Sequence, residues 1–85
     1  MPKERNEQIA YTRPIGFDYI ASYDANQNIE YEGWAYPGAA TSSLVWQIRK
    51  RTYDANQNVT NTQWADRNDK FDKSWDLRAT YTYGG

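Results

Sequence analysis

Most of the chain alternates short runs of apolar residues with polar ones, and clusters of Asp, Asn, Gly and Pro separate these runs. Runs that are rich in β-branched and aromatic residues and bounded by turn residues are typical of β-strands. Four of them flank two identical hexapeptides, YDANQN, at residues 23–28 and 53–58. Asp and Asn favour turns because their short side chains bond the local backbone and tolerate left-handed dihedral angles. The pattern therefore predicts two β-hairpins, each turning at one hexapeptide.

The likeness between the two hairpins extends beyond the hexapeptide. Tyr23 precedes Trp34 by eleven positions, and Tyr53 precedes Trp64 by the same number. We interpret this likeness as a duplicated hairpin.

The pattern of the first hairpin predicts one apolar face. If Tyr23 lies opposite Ile29, strand alternation places a mostly apolar set on the core side. That set is Phe17, Tyr19, Ala21, Tyr23, Ile29, Tyr31, Gly33 and Ala35. Gly33 is then expected to leave space for an aromatic ring such as that of Tyr19. The opposite face is mostly polar, and Trp34 is the exception on it.

The second hairpin has no apolar face in the same register. Arg49 and Arg51 share one face with Tyr53, while Lys50 and Thr52 share the other with apolar residues. Either a β-bulge shifts the register, or the hairpin projects from the core with a solvated tip. We favour the projecting hairpin.

The residues after the second hairpin predict one more strand. Residues 66–75 are highly charged, and Phe71 and Trp75 are four positions apart, which predicts one helical turn near residues 69–75. The alternation that follows places Leu77, Ala79, Tyr81 and Tyr83 on one face, as in a fifth strand. The expected fold is all-β, a small antiparallel sandwich or partly open barrel of about five strands. Residues 1–13 are expected to be an N-terminal arm, and residues 14–85 a single β domain.

Composition limits how this fold is stabilised. The chain has 85 residues, with eight Tyr and four Trp but neither Cys nor His. A core of this size is marginal, and small folds usually need a disulfide, a metal or a partner. Because Cys and His are absent, disulfides, thiolate metal sites and the commonest metal ligand are excluded. By elimination, a partner or self-association is the expected source of further stability.

Metal and catalytic chemistry find little support in the motifs. Both copies of DANQN begin like an EF-hand calcium loop, but Ile29 and Val59 stand where glycine belongs, and Ala35 and Ala65 where glutamate belongs. No phosphate loop, nucleophile elbow or zinc motif is present. We interpret the carboxylates of the first hairpin as a solvated surface. We therefore expect no catalytic residue, no cofactor, no metal and no enzymatic activity.

Charge argues against nucleic-acid and membrane partners. The formal net charge is −1, and no apolar run approaches the length of a membrane span. Arg49, Lys50 and Arg51 form a basic cluster, but strand alternation turns Lys50 away from the two arginines. We expect a solvated strand face whose charges are offset by the carboxylates of residues 66–76.

The excess of aromatic residues is the strongest functional signal. Trp34, Tyr36, Trp46 and Trp64 cannot all be buried in so thin a core, and interfaces reward Trp and Tyr with burial. We predict that these four residues contact a partner protein. Two alternatives remain: a local cluster beneath the loop that begins at Pro37, and a site where rings stack on a sugar.

Most of the chain after residue 28 resembles a known group of proteins. The segments GWAYPGAATSSLVWQIRK, TYDANQNVTNTQWAD and FDKSWDLRATYTY resemble short β-rich structural proteins and terminal domains of tailed bacteriophages. The resemblance implies a virion component without enzymatic activity, at the capsid surface, the neck or the attachment of tail or fibre. The turn also looks like that of YD-repeat proteins, which usually have Gly where this chain has Gln27 and Gln57.

The expected function is therefore structural. We expect a virion protein, assembled in the host cytoplasm, that binds other virion proteins as a homo-oligomer or within a symmetric assembly. The rival from another class is a carbohydrate-binding module that stacks sugar rings on the face of Trp34. A third hypothesis is a single-stranded nucleic-acid binder that uses residues 49–51.

Overall fold

A computed structural model describes residues 16–83. Its four strands are β1 (Asp18–Tyr23), β2 (Ile29–Ala35), β3 (Gln47–Tyr53) and β4 (Val59–Trp64), and they form one antiparallel sheet in the order β1-β2-β3-β4. The small all-β fold built around two hairpins is confirmed, and the sheet is open. The predicted arm at residues 1–13 lies outside the described residues.

Both YDANQN segments form the same turn. In the first, Asp24 Oδ1 accepts hydrogen bonds from the backbone N–H groups of Asn26 at 2.8 Å and Asn28 at 3.0 Å. The Asp24 carbonyl accepts from Gln27 N–H at 3.1 Å, and Asp24 N–H donates to the Asn28 carbonyl at 2.9 Å. Each of these four bonds recurs thirty positions later around Asp54. The hexapeptide therefore fixes two equivalent corners at one end of the sheet.

A β-bulge beside each turn determines which side chains lie on which face of the sheet. Tyr23 lies opposite Ile29, as predicted, but the register shifts between Ser22 and Tyr23, so that Ile20 rather than Tyr19 lies opposite Gly33. The predicted register is wrong beyond the first pair because a one-residue slip exchanges the two faces of a strand.

The same shift occurs in the second hairpin. The bulge there falls between Thr52 and Tyr53, and it places Arg49 opposite Trp64 and Arg51 opposite Thr62. The alternative of a bulge is confirmed, although the favoured explanation was a projecting hairpin. The tip is nevertheless exposed, since residues 59–62 of β4 are all exposed.

The C-terminal segment differs from the prediction. A 3₁₀ helix, Trp75–Thr80, occupies most of the predicted fifth strand, and no helix forms across residues 69–74. Instead, Lys73 pairs with Trp46 through two backbone hydrogen bonds of 2.8 and 2.9 Å. This pairing aims Trp75 at the sheet, where its ring lies over Gly33. Burying that large ring outweighs the alternation that suggested a strand.

The core lies on one face of the sheet. Its buried apolar residues are Ala35, Trp46, Ile48, Ala65 and Trp75. Trp46, predicted to contact a partner, is only 3% exposed, and its indole N–H donates to the Ala40 carbonyl at 2.9 Å. Trp46 therefore belongs to a local cluster under the loop, which was one of the two alternatives to partner contact. Within residues 16–83, no helix is both long and apolar enough to span a membrane.

Candidate functional site: the open face of the sheet

The face of the sheet opposite the core carries an unusual set of side chains. We call it the open face and define it by Tyr19, Glu32, Trp34, Arg49, Arg51 and Trp64. The register brings them together, because Tyr19 lies opposite Trp34, Glu32 opposite Arg49, and Arg49 opposite Trp64. All four strands therefore contribute to one surface.

Arg49 lies over two neighbouring indole rings. Its Cζ is 5.0 Å from the ring centroid of Trp34 and 5.6 Å from that of Trp64. The two ring centroids are 6.2 Å apart, with planes tilted by 55°. A guanidinium over an indole face is attracted by the ring's quadrupole, and each such contact is worth about 0.5–1 kcal/mol at exposed sites. We call this arrangement the Trp–Arg–Trp stack.

A buried carboxylate holds the stack in place. Glu32 is 4% exposed, although it belongs to the face that lacks the core. Its Oε1 accepts hydrogen bonds from Arg49 Nε and Arg51 Nε, both at 2.9 Å. Its Oε2 accepts from the Tyr19 hydroxyl at 2.7 Å and from Arg51 Nη2 at 3.3 Å. Burying a charge is costly unless it is paired and hydrogen-bonded, and Glu32 meets both conditions.

These contacts shift the pKa values of Glu32, Tyr19 and Arg51. Burial alone would raise the pKa of Glu32, but hydrogen bonds from Tyr19, Arg49 and Arg51 outweigh it and hold the pKa below its ordinary value. Burial and the hydrogen bond to Glu32 raise the pKa of Tyr19 to about 12. The hydrogen bond to Glu32 also raises the pKa of Arg51. The cluster therefore keeps its charges throughout the neutral range.

The hydrogen bonds to Glu32 do not use the terminal nitrogens of Arg49. Nε is used by Glu32, and among residues 16–83 no group accepts a hydrogen bond from Nη1 or Nη2 of Arg49. The side chain of Arg49 is 28% exposed. A fixed guanidinium thus presents two donors that an acceptor from outside the sheet can reach.

A second group of rings continues this side of the sheet. Phe17, Tyr36 and Phe71 pack together with centroid separations of 5.1, 5.4 and 5.7 Å. Phe17 directly precedes β1 and Tyr36 directly follows β2, so the alternation of these strands, continued by one residue, puts both on the side of the open face. Phe17 is 37% and Tyr36 55% exposed. Of the four predicted contact residues, Trp34, Tyr36 and Trp64 therefore share one side, and Trp46 lies on the other.

The basic cluster is divided between the two faces of the sheet, as predicted, but the carboxylate that balances its charge is not one of those predicted. Lys50 lies on the core side, with Nζ 5.6 Å from the ring centroid of Tyr31. Arg49 and Arg51 are paired with Glu32 rather than with the carboxylates of residues 66–76. The prediction about those carboxylates was wrong because β2 pairs with β3 in a register that places Glu32 opposite Arg49.

A polar groove separates the two hairpin turns. It encloses about 250 Å³ and is lined by both turns and the strand ends beside them, including Asp24, Glu30, Lys50 and Asp54. Asn28 of the first turn donates a side-chain hydrogen bond to Gln57 of the second. Within the described part of the chain, no group of three or more carboxylate side chains is arranged to hold a metal ion.

Comparison with known proteins adds no relative. No protein-family model, no curated protein and no solved structure matches the chain.

Proposed function

We propose that this protein is a non-enzymatic structural subunit that binds other proteins through the open face and the rings of Phe17, Tyr36 and Phe71. The observation that carries the proposal is the concentration of six aromatic side chains on the side of the sheet away from the core. Monomeric proteins rarely expose large apolar patches, and interfaces are enriched in Trp, Tyr and Arg.

The distribution of apolar residues supports this choice. The core contains only five buried apolar residues in the described chain. The exposed parts of the six rings on the other side of the same sheet would be buried only when a partner covers them. Binding would thus supply stability that the fold lacks.

The assembly that we propose is a bacteriophage virion, formed in the host cytoplasm from other virion proteins or further copies of this chain. The support for this finer assignment is the sequence resemblance in residues 29–83. Symmetry would repeat one weak contact many times, so that a modest interface on each copy suffices.

Site-specific photo-cross-linking in the source cells tests the proposal. A photoreactive phenylalanine analogue replaces Tyr36, which is 55% exposed beside the open face, or Leu77, which is 48% exposed on the opposite side. We expect discrete adducts, with other subunits or a second copy, from position 36 and not from position 77. Trp34→Ala in the same chain should weaken those adducts. Equal adduct formation at both positions, or none at position 36, would contradict the proposal.

A carbohydrate-binding module is the second candidate function. Its support is the pair formed by Tyr19 and Trp34, whose ring centroids are 5.4 Å apart on a rigid sheet. Aromatic faces of this kind stack on sugar rings as well as on protein side chains. Trp34→Ala separates the two functions. Lost assembly with unchanged glycan binding favours the structural subunit, whereas lost glycan binding with normal assembly favours the module.

A further inference from the structure

We propose that the Trp–Arg–Trp stack recognises a carboxylate on the partner protein. The two Nη groups of Arg49 would bind the carboxylate oxygens, and the apolar part of the same partner segment would lie against Trp34 and Trp64. This inference rests on the proposed function of the open face and names the chemistry of what binds there.

The geometry prepares Arg49 for that role. A planar guanidinium matches a carboxylate through two parallel N–H···O bonds, provided that two neighbouring nitrogens are available. Glu32 takes Nε at 2.9 Å, which leaves the Nη1 and Nη2 pair at the end of the side chain. The guanidinium also rests on the indoles of Trp34 and Trp64, whose ring centroids are 5.0 and 5.6 Å from Cζ. Because folding has already ordered this long side chain, binding need not order it again.

The charge of the cluster fits a single anion. Arg49 and Arg51 carry two positive charges, and Glu32 carries one negative charge between them. The excess of one positive charge is balanced by one carboxylate. A nucleic-acid strand presents a row of phosphates and is bound by several cations along its path. The remaining cation of the basic cluster, Lys50, is on the other side of the sheet. These charges favour an acidic protein segment over nucleic acid.

A matched pair of small probes tests the inference on the full chain. N-acetylphenylalanine carries a ring beside a carboxylate, and N-acetylphenylalaninamide carries the same ring without the charge. Each is titrated into isotopically labelled protein while the indole N–H signals of Trp34 and Trp64 and the Nε–H signal of Arg49 are followed by NMR. We expect the acid to move these signals saturably and to bind about tenfold more tightly than the amide, because the charged hydrogen bonds are made only by the acid.

Two substitutions, each of an arginine that stacks on tryptophan, serve as the test and its control. Arg49→Lys keeps the positive charge but removes the two-nitrogen fork, and it should reduce the affinity for the acid to that for the amide. Arg78 stacks on Trp75 at 4.7 Å on the core side, so Arg78→Lys should leave the titration unchanged. The comparison of acid with amide needs no variant and holds even if Arg49→Lys unfolds.

Several outcomes overturn the inference and leave the proposed function to its own test. Equal affinity for acid and amide, with shifts at both tryptophans, would mean that the open face binds apolar groups without recognising a carboxylate. Tighter binding of a thymidine oligonucleotide or of inorganic phosphate than of the acid would assign the site to phosphate chemistry. The absence of any shift at Trp34 and Trp64 would remove the site. The proposed function is decided separately, and it fails if cross-links at position 36 are missing or are no stronger than those at position 77.

Discussion

The indole ring of Trp75 lies directly over the α-carbon of Gly33. A Cβ added at Gly33 would fall 2.7 Å from Cε3 of Trp75 and 3.2 Å from Cε3 of Trp46. We expect Gly33→Ala to lower the free energy of unfolding by about 1–3 kcal/mol, because overpacking forces both rings to shift. Denaturant unfolding measures the loss. Gly16→Ala is the control, since a Cβ there meets nothing within 4 Å; equal effects would contradict the packing at Gly33.

Glutamine occupies the left-handed position in both turns, with φ of 68° at Gln27 and 69° at Gln57. A side chain costs about 1–2 kcal/mol in this conformation, whereas glycine adopts it freely. We expect Gln27→Gly to raise the free energy of unfolding by about 1 kcal/mol, after part of the gain is lost to the more flexible unfolded chain. Gln57→Gly should gain less, because Gln57 also accepts a hydrogen bond from Asn28.

The control for the turn is Ala25→Gly, in the same loop but without a positive φ. Here glycine relieves no strain and makes the unfolded chain more flexible, so we expect a small loss of stability. A thermal melt of each variant decides between the two effects. If Ala25→Gly stabilises the protein as much as Gln27→Gly does, strain at position 27 is not the cause.

Glu32→Gln should be strongly destabilising at neutral pH. It removes the carboxylate between Arg49 and Arg51, and losing hydrogen bonds to a charged group costs about 2–3 kcal/mol. Glu30→Gln, on the same strand, is the matched control, since Glu30 makes no ion pair among residues 16–83. Chemical denaturation of the two variants should show a large loss for position 32 and a small one for position 30.

The same carboxylate predicts an acid sensitivity. The pKa of Glu32 is lower in the folded chain than the ordinary 4.5, so the unfolded chain takes up the proton first. Its contribution is therefore complete above the ordinary value and is lost as the pH falls through the folded pKa. Unfolding measured across the acid range should show a weaker pH dependence for Glu32→Gln than for the natural chain. Identical slopes would contradict the link.

Tyr19 predicts a separate alkaline effect. Its pKa is raised from 10.0 to about 12, so between these values the unfolded chain loses a proton that the folded chain retains. The stability should accordingly fall as the pH rises through that window. Ultraviolet absorbance of the phenolate and alkaline unfolding both report the change. Tyr19→Phe should flatten the fall, whereas Tyr36→Phe should not, because Tyr36 is 55% exposed and is not among the groups that shift the pKa of Tyr19.

The hairpins and their turns were predictable because their signals are local. An Asp that bonds the backbone two and four residues later needs only its own loop, as at Asp24 and Asp54. The bulge beside each turn was harder to predict, because the turn sequence does not specify whether one strand has an unpaired residue next to the turn. One extra residue on β2, Glu30, between the partners of Ser22 and Tyr23, was enough to exchange the faces assigned to β1.

The candidate site was predicted only in part for the same reason. Trp34 stood out as the exception on a mostly polar face, and Trp64 as its equivalent in the second hairpin, and both lie on the open face. Glu32 was interpreted as a solvated carboxylate, because its burial depends on arginines from the next strand. Trp46 was assigned to a partner because a sequence does not reveal that Trp75 and the C-terminal segment come back to form a core around it.

The duplication explains where the Trp–Arg–Trp stack comes from. Trp34 and Trp64 occupy the same place in two copies of one hairpin, thirty positions apart. Successive hairpins of an antiparallel meander point the same way and are offset by two strands, so the second tryptophan repeats the first across β3. The second hairpin alone supplies Arg49 and Trp64, which face each other on β3 and β4. Only the repeat of the hairpin places a second indole, Trp34, on the other side of β3, so the stack is a property of the pair of hairpins and of neither one alone.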